Sequence, residues 1–223
     1  MAFEGFPAEA LVFLANLARN NDREWFHEHR DEYDRLLLEP ARDFVEAMGD
    51  QLPEAHADPR VGRSIMRINR DRRFSKDKRP YKDHLDLWFW QGEGPSRGCP
   101  GYWFRLTPER LILGAGMHSF ERDMLERYRE AVADGRLGGA LVETLERLRA
   151  DGHEIRGKRY KRVPAGYDVP PERSELLLHA ALYTGIELEP PPPETATAEF
   201  PAFCAARWRT MTPLQEWLVE LVS

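Results

Sequence analysis

Apolar residues recur at helical spacing through the first quarter of the chain. After Pro7, a residue favoured in a first helical turn, Leu11, Leu14, Ala15 and Ala18 share one face until Asn20-Asn21 ends the run. Asp22 is placed to cap a second helix over 22–38. That helix carries Trp25, Phe26, His29, Tyr33, Leu36 and Leu37 on one side and charged residues on the other. Glu39-Pro40 is expected to break or kink it, and a third helix follows to about Leu52.

The period then changes. "SIMRINR" (64–70) and "HLDLWFWQ" (84–91) alternate apolar and polar positions as half-buried strands do. "GYWFRL" and "RLILGAG" follow, joined by Thr107-Pro108-Glu109, a turn in which proline presets the backbone. Ser119 is a cap candidate for helices running to about Ala133 and, after Gly139, to about Ala150. "HEIRGKRYKR" (153–162) and "HAALYTGIEL" (179–188) look extended, with a short helix at "ERSELLL" between them. "EPPPPE" (189–194) reads as a stiff spacer, and "TPLQ" (212–215) as the capped start of a last helix. The expected fold class is α+β, a largely antiparallel sheet flanked by N-terminal and C-terminal helices. A single domain over 1–223 is expected: a helical layer at 1–53, central strands at 60–118, and helices with further strands at 119–223.

Charge sharpens the picture. The 223 residues carry a formal net charge of −6, which argues against a protein that coats nucleic acid over its whole surface. Within that acidic chain, Arg60–Lys82 holds ten basic residues against Asp71 and Asp77, and "RGKRYKR" (156–162) holds five with no acid. All five lysines, Lys76, Lys78, Lys82, Lys158 and Lys161, fall in these two windows, while the other basic residues are arginine. A compact ammonium where the chain otherwise writes guanidinium points to a role for lysine itself.

Bunched cations need compensation. Interleaved Asp71, Asp77, Asp83 and Asp86 would give a structural ion-pair knot; an anionic ligand, most naturally a phosphate, would give a binding site. On the second reading Arg67, Arg70, Arg73, Lys76, Lys78, Tyr81 and Lys82 line the pocket, joined by Lys158 and Lys161. Phe74 and Tyr81 bracket the loop, as anchors or as rings on which a base stacks. Two rivals use the same motif: an enzyme acting on the phosphate through Lys78 and Asp77, and a docking module for an acidic protein.

Other constellations are weaker. His27-x-His29 points its rings apart on a helix; His84 and Asp86 share a strand face as an ordinary polar pair; "GAGM" (114–117) lacks the later glycine of a dinucleotide loop, and its small residues suit a close backbone approach. Glu24 and Trp25 lie where a helix N-terminus could face an anion. No cofactor, metal site or disulfide is expected from this pattern, Cys99 and Cys204 being the only cysteines. The N-terminus lacks a basic region before its apolar positions and no uncharged apolar run nears 18 residues, so a soluble, cytoplasmic protein without membrane contact is expected. An anionic small molecule or a nucleic acid is the expected partner class, and nothing in the pattern fixes an oligomeric state.

Four segments taken together are familiar. Asn20-Asn21 with Trp25-Phe26, "RDRRFSKDKRPYKDH" (70–84), "GAGM", and "KRVPAGYD" (161–168) resemble, in order and spacing, a family of conserved hypothetical proteins of bacteria and some fungi. That domain-of-unknown-function family is marked by NN-x-x-x-W-F and R-F-S-x-D-K-x-P-Y-K. The resemblance spans roughly residues 3–220 and implies one α+β fold, with no activity to carry over. Tyr160 stands where the family pattern suggests leucine before Lys-Arg-x-Pro.

Overall fold

The computed structural model describes residues 2–73, 76–93 and 98–223. Its strands form one antiparallel five-stranded sheet, β1 (Leu85–Trp90), β2 (Gly101–Leu106), β3 (Leu111–Met117), β4 (Arg156–Lys158) and β5 (His179–Leu188), in the order β1-β2-β3-β5-β4. With the helices, this is the expected α+β class. β2 and β3 make the expected hairpin, closed by Thr107 N–H donating to the Arg110 carbonyl at 2.9 Å. By internal packing the chain divides into two compact units: 1–89 with 103–113 and 187–207, and 90–102 with 114–186 and 208–223.

The first unit is organised on an aromatic core. The Phe44 ring lies 5.2 Å from Phe3, 5.4 Å from Phe104 and 5.4 Å from Phe200, and all four are buried. Rings this close in tilted or edge-on contact combine large apolar burial with favourable quadrupole geometry. The helices α1 (Ala8–Arg19), α2 (Arg23–Glu28), α3 (Arg30–Tyr33) and α4 (Glu39–Gln51) supply the rest. Two departures from the expected helices have visible causes. The expected 22–38 helix is interrupted at His29, whose backbone leaves the helical region (φ −106°, ψ 19°) while its Nδ1 lies 2.8 Å from the Trp25 carbonyl and its ring stacks on Trp25 at 4.0 Å. Pro40 does not break the chain: a π-helical turn over Asp34–Leu38 carries α3 into α4, a wider coil that accommodates the missing N–H and the ring of the proline.

Residues 64–70 also differ from the strand expected there. They pair with β1 around one bridge, Ile65 opposite Leu87, with Met66 N–H donating to Asp86 O and Trp88 N–H to Ser64 O; pairing then passes to Asn69 opposite Tyr81. The segment changes partner midway, and the arm it joins contains Pro80, which cannot donate to a ladder. The run 189–194 begins with a cis Glu189-Pro190 bond and ends in a 3-10 turn at Pro193–Ala196, and Phe6 N–H donates to the Thr195 carbonyl, so it is docked rather than a free spacer.

In the second unit α5 (Arg122–Ala133), α6 (Gly135–Ala150), α7 (Pro171–Ser174) and α9 (Thr212–Val222) surround a core of Tyr128, Leu141, Leu145, Leu177, Leu182, Leu214 and Trp217. Two of its aromatic residues have satisfied polar tips: the Tyr128 hydroxyl donates to Leu176 O at 3.0 Å and Trp217 Nε1 to Leu137 O at 3.0 Å. α6 begins four residues before Gly139 because Asp134 caps it, accepting from the amides of Arg136 and Leu137. Two expected caps are not used: α5 is preceded by Glu121 rather than Ser119, and the Thr212 hydroxyl donates back to Trp208 O. The "GAGM" segment is a close approach, since a Cβ on Gly116 would lie 2.3 Å from the Leu182 carbonyl oxygen. Gly157 of β4 approaches β5 equally closely at Ala181. α8 (Phe200–Arg209) contributes 200–207 to the first unit and 208–209 to the second.

Candidate functional site

The basic loop grows from one rung, Asn69 opposite Tyr81, flanked by Arg70 N–H donating to Pro80 O at 2.9 Å and Lys82 N–H to Ile68 O at 2.8 Å. Tyr81 is held from outside the loop. Asn21 grips its main chain at both ends, Nδ2 donating to Tyr81 O at 3.2 Å and Oδ1 accepting from Tyr81 N–H at 3.0 Å, as a neighbouring strand would. The Tyr81 ring stacks on Phe26 at 4.1 Å. The two sequence motifs therefore meet: Asn21 and Phe26 of the first hold Tyr81 of the second.

Within the loop the aspartates are taken by arginine in a repeated local device. Asp71 accepts from both the amide and the Nε of Arg73, and Asp77 does the same for Arg79; just upstream, Asp58 and Arg60 repeat it. A short carboxylate reaching an amide two residues on is an Asx turn, here reinforced by the guanidinium. Arg70 adds a second layer, Nε donating to Tyr81 O at 3.3 Å and its guanidinium lying 3.4 Å from Asp77 and 3.7 Å from Asp83, which also pairs with Arg79 at 3.1 Å. The Arg79 hydrogen bonds hold the Asp77 carboxyl down at about 2.

At the foot of the loop Asp86 gathers three partners: Arg105 at 2.7 Å, Lys82 at 3.1 Å and His84 Nε2 at 3.2 Å, while His84 Nδ1 lies 3.0 Å from Asp83. Burial by itself raises the Asp86 carboxyl, but hydrogen bonds from His84 and Arg105 outweigh it and hold the group well below the usual carboxylate range; Asp83 is lowered against its own burial by His84, its backbone amide and Arg79. A carboxyl lower in the folded than in the unfolded chain stabilises above the unfolded value near 3.9, and that contribution fades as pH falls through the folded value. The urea midpoint is thus expected to fall below about pH 4, and Asp86→Asn, measured the same way, to show a shallower fall from a lower plateau.

Once these pairs are made, Arg67, Arg72, Lys76 and Lys78 have no carboxylate partner among the described residues. All four are exposed. Lys78 Nζ donates to the Arg72 carbonyl at 3.0 Å, and Arg70, Asp71, Arg72, Arg73 and Lys78 line one open cleft. Of the residues expected to form a pocket, Arg70, Arg73, Lys78 and Tyr81 are brought together around the loop base. Arg73 is paired with Asp71, Lys82 with Asp86, and the Tyr81 ring is buried. Phe74, expected as a second bracket, lies outside the described residues. Lys158 and Lys161 belong to the second unit, where Lys158 Nζ is 2.6 Å from Glu175 and Lys161 is exposed. Glu24 and Trp25 open a helix of only six residues, whose Trp25 amide is already capped by Asp22 at 2.9 Å.

A family model for conserved hypothetical proteins (DUF2461) matches residues 9–217. The chain belongs to that family. Neither the curated proteins nor the solved structures contain a match to it. The DUF2461 chain contains, among its described residues, no helix long and apolar enough to cross a membrane.

In the sequence of this DUF2461 member Asn21 and Phe26 stand out as a helix end, an apolar face and a motif, but nothing there assigns them, Arg72 or Arg105 to the basic loop. Three of the four Asp-x-Arg triplets in the sequence, at 58, 71 and 77, mark cations neutralised locally; in the fourth, Asp134 takes the Arg136 amide while the guanidinium goes to Glu220.

Proposed function

We propose that the loop 70–82 binds a phosphate-bearing anion through Lys76, Lys78, Arg72 and Arg67, on a scaffold made by Arg70, Arg73, Arg79, Lys82 and Tyr81. The observation that carries this reading is the surplus itself. Each aspartate of the loop already has an arginine or lysine, so Arg67, Arg72, Lys76 and Lys78 are left exposed without a carboxylate partner among the described residues, and Arg72 and Lys78 line one cleft with the paired Arg70 and Arg73. Uncompensated like charges held together favour an anion of high charge density, and the lysines supply compact donors suited to a phosphate oxygen. The reading rests on the first unit alone. Catalysis by Asp77 is disfavoured, because a carboxyl held at about 2 by Arg79 is a weak base near neutral pH.

The test is calorimetric titration with pyrophosphate and ATP. Lys78→Arg keeps the charge but replaces the compact ammonium with a planar fork; it is expected to weaken binding by roughly 1–3 kcal/mol while the melting temperature barely moves. Unchanged binding in that variant would contradict the pocket and leave recognition by net charge, as in a protein-docking surface.

A further inference from the structure

A second cleft adjoins the first at the loop base, lined by Arg23, Phe26, His27, Arg30, Asn69 and Tyr81. Asn69 and Tyr81, paired across the loop base, line this cleft, and the next residue, Arg70, lines the first. Arg23 and His27, four residues apart on α2, and Arg30, the first residue of α3, all line this cleft; Glu24, Glu28 and Asp31 each follow one of them in sequence. Arg30 shares its charge with Asp34 at 3.1 Å, whereas Arg23 has no carboxylate partner among the described residues. No acidic side chain lines this second cleft.

Between the two groups of cations stands Asn69, exposed, with no hydrogen bond to its side-chain amide among the described residues. A donor and an acceptor side by side match a nucleobase edge, and the phosphate reading of the loop cleft favours a phosphodiester over a peptide as its carrier. Cations on either side of a base-reading amide fit a chain of phosphodiesters with a base between them. Resting on the loop reading above, we infer that the ligand is a short single strand of nucleic acid, its backbone running from Arg72 and Lys78 past Asn69 to Arg23 and Arg30. The acidic remainder of the chain restricts such binding to a few nucleotides, because the phosphates beyond the clefts meet repulsion.

Fluorescence anisotropy with a labelled single-stranded decanucleotide, across a salt series, beside calorimetry with pyrophosphate, tests this. Each phosphate neutralised on a single strand contributes about −0.7 to the slope of log K against log salt. Arg23→Gln, at an exposed helix position, is expected to weaken the decamer at least fivefold and flatten the slope by about 0.7, with pyrophosphate affinity unchanged. If Arg23→Gln leaves the decamer and its slope unaltered while Lys78→Ala weakens pyrophosphate, the strand is overturned and the loop reading stands. Equal binding of a glutamate decapeptide would also overturn the strand. If Lys78→Ala alters neither ligand, the loop reading itself is lost.

Discussion

Phe26→Ala is expected to destabilise the protein by about 3–5 kcal/mol, the usual cost of removing a buried aromatic ring. Phe26 is 5% exposed, stacks on Tyr81 at 4.1 Å and meets Tyr33 at 5.4 Å, so truncation leaves a cavity bounded by two aromatic rings. For a chain of this length each kcal/mol moves the melting temperature by about 2–4 °C, which places the variant roughly 6–20 °C below the parent in calorimetry. The effect should extend to the basic loop, since the ring fixes the Tyr81 side chain while Asn21 fixes its main chain. Phe26→Leu, which keeps much of the volume, should lose far less. A Phe26→Ala protein within about 1 kcal/mol of the parent would mean that the two motifs meet without supporting each other.

Gly116→Ala is expected to cost about 2–6 kcal/mol. Two effects add: a side chain at φ +124° is strained by about 1–3 kcal/mol, and forcing a methyl into packed structure costs about as much again. Here the intruding Cβ would meet backbone, 2.3 Å from Leu182 O and 2.7 Å from Tyr183 Cα, so no side-chain rotation relieves it. Gly152→Ala separates the two terms. Its φ is +85°, but a Cβ there would meet nothing within 4 Å, so only the conformational cost of about 1–2 kcal/mol should appear in urea unfolding. Equal losses at Gly116 and Gly152 would show that the close approach to β5 carries no weight.

The parts of the fold legible in the sequence are those set by local periodicity and turn chemistry. The alternation in "LDLWFW" buries Leu85, Leu87 and Phe89 on one side, and Thr107-Pro108-Glu109 turns β2 into β3. The unreadable parts depend on partners remote in the chain. Residues 64–70 alternate well enough for a strand, yet pair with β1 and then with 80–82, a change of partner that periodicity does not encode. Pro40 announces a disturbance, but not that the helix widens into a π turn before it, one whose Leu36, Leu37 and Leu38 are all buried. The basic loop was visible as composition; the residues left over after pairing were not. Arg73 and Arg79 are neutralised two residues away, a pattern open to reading, whereas Lys82 and Arg105 converge on Asp86 from different segments.

We propose that Arg67, Arg72, Lys76 and Lys78 bind phosphate on an aspartate-clasped frame. The most direct measurement is a chemical-shift titration of the backbone amides with inorganic pyrophosphate. The predicted result is saturable shifts concentrated at residues 67–82, lost in Lys78→Ala while the remaining spectrum is unchanged. Shifts confined to other parts of the chain, or the same saturable shifts in Lys78→Ala, would contradict it.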